Sequence, residues 1–348
     1  MKSTSKLLMT ALSLTFVSTL TMAQGDIDDL LKGSRADAAY LAEGYISPFL
    51  RTYAAGINQG WYNTAKPHKI AGIDFTISGA LVTIPNDDRT FTVDNSRLNT
   101  IYLKNTNNGG GSIPPANGTG KIPTVFGNTP AATFESKDPN TDIAIPGSEF
   151  NSPEGTDVFD DYLNGRVPVP VFNAGIGLPK GFELKVRWTP EIEFGDGNVK
   201  MLGFGVMHDI KQHIPGIKML PFDLSALVAY SKMDIGVSLD ENDATRRGEF
   251  SVQGTTIQAI ISKKISVITP YAAIGFASGT SSLKVKGNYD LDENGTPETS
   301  DPVSVEEKVV SPRMTAGLRL KLLILTIHAD YTLQKYNTLT VGVGLSVR

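Results

Sequence analysis

The stretch of this chain that comes nearest to a chemical site is Asp290-Leu-Asp292-Glu-Asn294-Gly295-Thr296-Pro-Glu298-Thr-Ser-Asp301. Short oxygen-bearing side chains at alternate positions converge on one point, and glycine at the sixth permits the sharp turn of a calcium loop. Asp290, Asp292, Asn294, Thr296, Glu298 and Asp301 are thus the expected ligands should Ca2+ bind. The last position holds Asp301 where a longer, bidentate glutamate is usual. An acidic hairpin loop with an Asn-Gly turn accounts for the same residues, and no helices flank it.

The histidines are His68, His208, His213 and His328. His208 and His213 are five apart, a spacing that fits neither a helix face nor one side of a strand. Loop or lumen polar roles are expected for them, and no zinc site. Glu191 and Glu193 sit two apart near a strand end, a common arrangement that does not by itself make an acid–base pair. The chain has no G-x-S-x-G, no phosphate loop and no G-x-G-x-x-G. Catalysis is not implied, and no cofactor beyond the Ca2+ of residues 290–301 is expected.

The remaining candidates are charged residues that recur at every second position. Glu183, Lys185 and Arg187 alternate with Phe182, Leu184, Val186 and Trp188. Arg319 and Lys321 alternate with Leu318, Leu320 and Leu322; His328 and Asp330 alternate with Ile327, Ala329 and Tyr331. Period two means strands, with the ionic set on one face and the apolar set on the other.

A soluble sheet wets its polar face and packs its apolar face on a second layer. A membrane barrel turns the apolar face to lipid and encloses the charges. Alternation alone does not say which way a face points. Length favours the barrel, because the strands run well beyond the usual ~5–6 residues. Aromatic spacing agrees: Phe222 and Tyr230 lie eight residues apart on one face. That is ~26 Å along a strand and ~20 Å after tilting, close to the ~25 Å between aromatic girdles.

The expected strands are 70–84, 89–104, 167–178, 181–194, 198–207, 221–239, 249–263, 266–278, 281–291, 303–322, 324–335 and 338–348. The predicted fold is therefore all-β, an antiparallel transmembrane barrel of about 12 strands, with 10–14 allowed. Residues 105–166 interrupt it with nine Gly, seven Pro and eight Asn, so no regular element should run far there. A loop of that length is expected to be functional or disordered: in a barrel, an extracellular loop that either folds into the mouth as a constriction or stays mobile at the surface.

Ahead of the barrel, Lys2 and Lys6 precede the apolar run Leu7–Leu20 and the small-x-Ala site Thr21-Met22-Ala23. This reads as a cleaved export signal over 1–23. No Cys follows it, so a lipid anchor, disulfides and thiolate metal sites are not expected. Residues 24–66 read as a helical plug or hatch, with Asp26 as cap. Gly44 is expected to end the first helix and Ser47-Pro48 to start a second. Tyr45, Phe49, Trp61 and Tyr62 are the expected hatch surface toward a ligand.

Loss of two lysines with the signal moves the formal charge from −4 to −6, and a mildly acidic chain has no basic face for nucleic acid. Outer-membrane lipid and the insertion machinery are the expected partners, although Val347-Arg348 replaces the terminal aromatic typical of such proteins.

Several blocks resemble a family of exported Gram-negative proteins of unknown function: Gly56-Ile-Asn58-Gln-Gly60-Trp61-Tyr62-Asn63-Thr64-Ala65 with His68-Lys69, then Pro123-Thr-Val-Phe126-Gly127, Pro221-Phe222-Asp223-Leu-Ser225 and Tyr331-Thr-Leu-Gln-Lys335-Tyr336. More distantly, the layout is similar to the porins that carry long-chain fatty acids, which implies a hatch inside the barrel. The expected function is an outer-membrane channel or transporter for a small ligand, hydrophobic ones included. Its lumen would be lined by Glu183, Lys185, Arg187, Arg319, Lys321, His328 and Asp330. The alternative is a soluble periplasmic or surface β-protein that serves as a binding or structural module.

Overall fold

Period-two alternation becomes a closed wall in the computed structural model, which describes residues 33–109, 111–156, 158–194, 197–240, 243, 245–289 and 299–347. The chain enters through helix α1 (Arg35–Gly56) and then forms β1 (Ile73–Thr83). An insertion follows, with the short strands β2 (Thr90–Asp94), β3 (Ile101–Asn105), β4 (Thr119–Pro123), β5 (Thr133–Ser136) and β6 (Phe150–Asn151) and a short helix, Val158–Leu163. The wall resumes as β7 (Arg166–Leu178), β8 (Phe182–Phe194), β9 (Gly197–Asp209), β10 (Asp223–Ser238), β11 (Arg247–Ser262) and β12 (Ile268–Lys286). A two-stranded hairpin, β13 (Asn288–Tyr289) and β14 (Thr299–Ser300), precedes β15 (Val303–Leu322), β16 (Leu325–Leu333) and β17 (Thr338–Val347).

Each wall strand pairs antiparallel with the next wall strand in sequence, and β1 closes the circle by pairing with both β7 and β17. Ile73 lies opposite Val347 on one side and Ile176 on the other. The barrel therefore has ten strands, the lower bound of the range and two fewer than the central expectation. One lost strand is 89–104. Buried Asn95 folds it back: its amide donates to the Leu103 and Pro114 carbonyls and its oxygen accepts from the Leu103 N–H. The other loss arises because 266–278 and most of 281–291 belong to a single strand, β12, which runs unbroken through Gly279.

The orientation left open by alternation is now fixed. Phe75, Trp188, Phe276 and Leu318 face out, 57–65% exposed, whereas Glu183 and Arg187 face in at 0%. On β15 the outward residues from Val310 to Leu322 are all apolar, and the charged Glu306 and Lys308 lie beyond them. Twelve residues span ~40 Å along the strand, or ~30 Å at a tilt of about 40°. That matches a hydrocarbon core. No helix is long and apolar enough to cross a membrane among the described residues.

The wall starts and finishes at the same end of the barrel, where the links 179–181 and 323–324 are short. The insertion, 84–165, and the β13–β14 hairpin lie at the other end.

Helix α1 lies inside the wall. Ser34 caps it, its hydroxyl accepting from the Asp37 N–H at 3.2 Å. The helix does not stop at Gly44 or restart at Pro48; it runs through both. Proline removes one backbone bond, but burial of Phe49, Leu50, Tyr53 and Ala54 just after it outweighs that loss. The expected signal peptide, and Asp26 with residues 24–32, lie outside the described residues.

The wall is shaped for the helix. A Cβ on inward Gly279 would lie 1.9 Å from the Ala54 carbonyl oxygen, while one on outward Gly79 would meet nothing within 4 Å. Gly279→Val should therefore cost at least ~1–3 kcal/mol, as overpacking does, and speed tryptic cleavage at Arg51. Gly79→Val should leave both unchanged. Equal protease resistance in the two variants would mean that the helix is not seated against β12.

Candidate functional site

The enclosed volume has two zones. Toward the insertion it is apolar: Phe49 packs on Tyr53, Phe126 and Phe250, with ring centroids 4.8, 6.3 and 5.7 Å away. Met201, Met233, Ile235, Val252, Val303 and Val305 complete this layer. Toward the short-turn end one side of the wall is polar, with Glu183, Lys185, Arg187, Arg313, Arg319, His328 and Asp330 all buried, while Met207, Leu227, Ile260 and Ala273 on the other side pack with Trp61 and Tyr62.

Between the zones, the end of α1 is gripped from opposite walls. Arg187 on β8 donates to the Ile57 carbonyl at 2.6 Å, to the Gln59 carbonyl and to Asn173 Oδ1 at 2.7 Å. Its guanidinium also stacks on Trp61, 3.8 Å from the ring centroid. Arg313 on β15 donates to the Asn58 carbonyl at 3.0 Å and to Gln59 Oε1. β8 and β15 stand five strands apart in the ten-strand ring, so the two side chains reach across the lumen. A helix C-terminus carries partial negative charge, which suits two guanidinium groups. Each such charge-assisted bond contributes about 1.5–3 kcal/mol. Asn173 adds a third tie, donating to the Gly60 carbonyl at 2.6 Å.

Below the clamp, Tyr62 packs edge-on against Tyr271, whose hydroxyl donates to Asp330 at 2.8 Å. His328 Nε2 lies 3.4 Å from Ser78 Oγ. Lys321 donates to Ser346 Oγ at 2.9 Å, and Lys185 pairs with Glu183.

The upper mouth is covered by the insertion. Val93, Leu98, Ile101, Leu103, Ile122, Ala132 and Phe134 pack with Leu41 of α1 into a separate core. Asp37 fastens the start of α1 by accepting from the Asn99 N–H at 2.7 Å and the Thr100 N–H at 2.8 Å. Tyr45 donates to the Glu154 carbonyl at 2.8 Å. Arg89 grips Asp160 with two bonds of 2.6 and 2.7 Å.

The seven charged lumen residues expected from alternation do share the inner face. Tyr45, Phe49, Trp61 and Tyr62 are all buried, so they form internal contacts and not an open surface. Within 105–166 the described residues form only short strands of two to five residues and one six-residue helix, as the Gly, Pro and Asn content requires, and they fold back on one apolar core. His208 Nε2 and His213 Nε2 lie 2.9 Å apart, brought together by the turn after β9 and not by one face of a regular element. Asp290, Asp292, Asn294, Thr296 and Glu298 lie outside the described residues; Asp301 pairs with Lys286 at 2.7 Å and accepts from the Gly287 N–H. Sequence reasoning missed Arg313, Asn58, Gln59, Asn173 and Asp74. Arg313 shares parity with Arg319 and could have been found; the others gain meaning only from the contact between plug and wall.

The Arg89 hydrogen bonds hold the Asp160 carboxyl below its usual 3.8. A lowered folded value stabilises above that pH and is lost as pH falls through the folded value. Proteolysis within 84–165 should therefore quicken in acid below about pH 4. Asp160→Asn should cleave faster at neutral pH and lose some of that acid dependence. A variant with the wild-type pH profile would show that this pair does not hold the cap.

Among solved structures, the chain is similar to the attachment invasion locus protein Ail of Yersinia pestis, with TM-score 0.27 and 10% identity over 80% of this chain and 99% of that one. It is also similar to the outer-membrane protease OmpT of Escherichia coli (0.32, 7%, 79% and 96%) and the toluene transporter TodX of Pseudomonas putida (0.23, 8%, 80% and 68%). Scores this low carry no residue correspondence, and such varied barrels do not single out long-chain fatty-acid carriers. The fold rests on the strand pairing itself. No curated protein matches the chain. A family model does, over residues 1–347, and the chain belongs to that family of unknown function, DUF6588.

Proposed function

We propose that the chain is an outer-membrane barrel held shut by its own N-terminal segment, and that a small solute passes only when that segment moves. The observation that carries this reading is the grip of Arg187 and Arg313, from opposite walls, on the carbonyl groups that follow α1. An apolar outer belt and an ionic interior suit a bilayer, where every backbone group must be paired within the sheet. Withdrawal of α1 would bare Phe250, Val252, Met233 and Val305, a lining suited to a solute with an apolar body. A second reading has its own support: the insertion is a folded unit with a separate core, as a surface binding module would need.

Both ends of the wall lie at the short-turn end, which in barrels of this kind faces the periplasm. The insertion and the start of α1 then face outward. Arg35 is exposed at that end, so Arg35→Cys in intact cells should react with a membrane-impermeant maleimide. Labelling only after the outer membrane is broken would reverse this orientation.

The gate is tested with the full chain in planar bilayers. Removing charge-assisted bonds of about 1.5–3 kcal/mol should raise the open probability of Arg187→Ala/Arg313→Ala at least about tenfold, since 1.4 kcal/mol is one decade. Equal conductance in wild type and variant would end the gating reading. Silence in both, with closed barrels, would favour the surface module.

A further inference from the structure

At the short-turn end lies a group that neither the clamp nor the apolar layer uses. His68, on the link from the plug to β1, Asp74 on β1 and Glu183 on β8 each present one ligand atom, and the three atoms lie within 4.8 Å of one another. His68 Nδ1 is 3.0 Å from Glu183 Oε2 and 3.6 Å from Asp74 Oδ1. Tetrahedral coordination with bonds of about 2.0–2.1 Å places ligand atoms roughly 3.3 Å apart, and the two separations from His68 Nδ1 already lie near that value.

The second polar atom of each side chain is turned away and held. His68 Nε2 meets Ser346 Oγ at 3.0 Å. Asp74 Oδ2 accepts from Thr76 Oγ1 at 3.3 Å. Glu183 Oε1 accepts from Lys185. Metal centres fix their ligands through outer contacts of this sort. Of the inner atoms, Asp74 Oδ1 is the unsatisfied one. Asp74 is 7% exposed, and its Oδ1 has no hydrogen-bond partner although it points at the imidazole. Glu183 Oε2 accepts from the His68 backbone N–H at 2.8 Å and is hydrogen-bonded to His68 Nδ1 at 3.0 Å, a contact whose proton a metal ion would displace. An unpaired buried carboxylate oxygen is costly, and a cation at this point would satisfy it. The two carboxylates face the Lys185 ammonium, with Arg319 near enough to act on Lys185 and Lys321 one contact further out, on Ser346.

We propose that His68 Nδ1, Asp74 Oδ1 and Glu183 Oε2 bind a divalent transition-metal ion of the Zn2+ class, with water in the fourth position. The nitrogen donor disfavours Ca2+ and Mg2+, which take oxygen. The ion would staple the link at residue 68 to two wall strands, next to the end of β17. The site does not depend on whether a solute passes, and its test reads metal binding alone.

Full-length protein in detergent, stripped with a chelator, is titrated with ZnCl2. One equivalent should bind, and Co2+ in its place should give a visible absorption band. Asp74→Asn and His68→Gln should each weaken Zn2+ binding by at least about tenfold, the lower end for loss of metal-centre contacts. Heat-modifiable gel migration reports a closed barrel in each variant. His68 lies off the wall, so its variant carries the test if Asp74→Asn fails to close. Substoichiometric Zn2+ in wild type, or unchanged affinity in a closed His68→Gln barrel, overturns the proposal.

Discussion

The constraint on which the rest depends is that a sheet facing hydrocarbon can leave no backbone donor or acceptor unpaired along an edge. The register of β1 against β17, from Ile73 opposite Val347 to Val82 opposite Thr338, removes the last edge. Once the sheet closes, each residue's parity decides its solvent. Leu318 and Phe276 are left on the outer face, and Arg187 and His328 are enclosed. Enclosed charges must then find partners, because burial of an unpaired ion is prohibitive.

For Glu183, Lys185, Asp330, His328 and Lys321 those partners stand on the wall itself, and for Arg187 and Arg313 they are supplied by the segment inside. Arg187 and Arg313 have carbonyl oxygens to bind because the chain after α1 runs between them. The same segment fills the apolar zone with Phe49 and Tyr53. Glycine completes the fit where backbone approaches backbone, as at Gly279 beneath Ala54. Wall and plug are therefore complementary in charge, in polarity and in shape, and each would expose unsatisfied groups without the other.

The insertion adds a lid at one end. It packs on Leu41 and bonds to Asp37 of α1, so the cap and the plug are not independent bodies. Tyr336, in the turn between β16 and β17, donates to Asp88 at 2.6 Å and ties the rim of the wall to the cap. Moving α1 away from the wall would therefore break contacts at both levels.

By itself the sequence determined the class of fold and the parity of its strands. The charged lumen residues were legible because period two survives any tertiary arrangement, and strand length pointed to a bilayer. It did not determine the direction of either face, since alternation is symmetric between inside and outside. Nor could it count strands where local signals mislead: Gly279 interrupts the pattern for the sake of the helix, and Asn95 turns a strand-like run back on itself. The joining of His68, Asp74 and Glu183 lay beyond it altogether. Those residues are brought together only by the pairing of β1 with β7 and β7 with β8, and a contact made by register across neighbouring strands leaves no spacing in the chain to read.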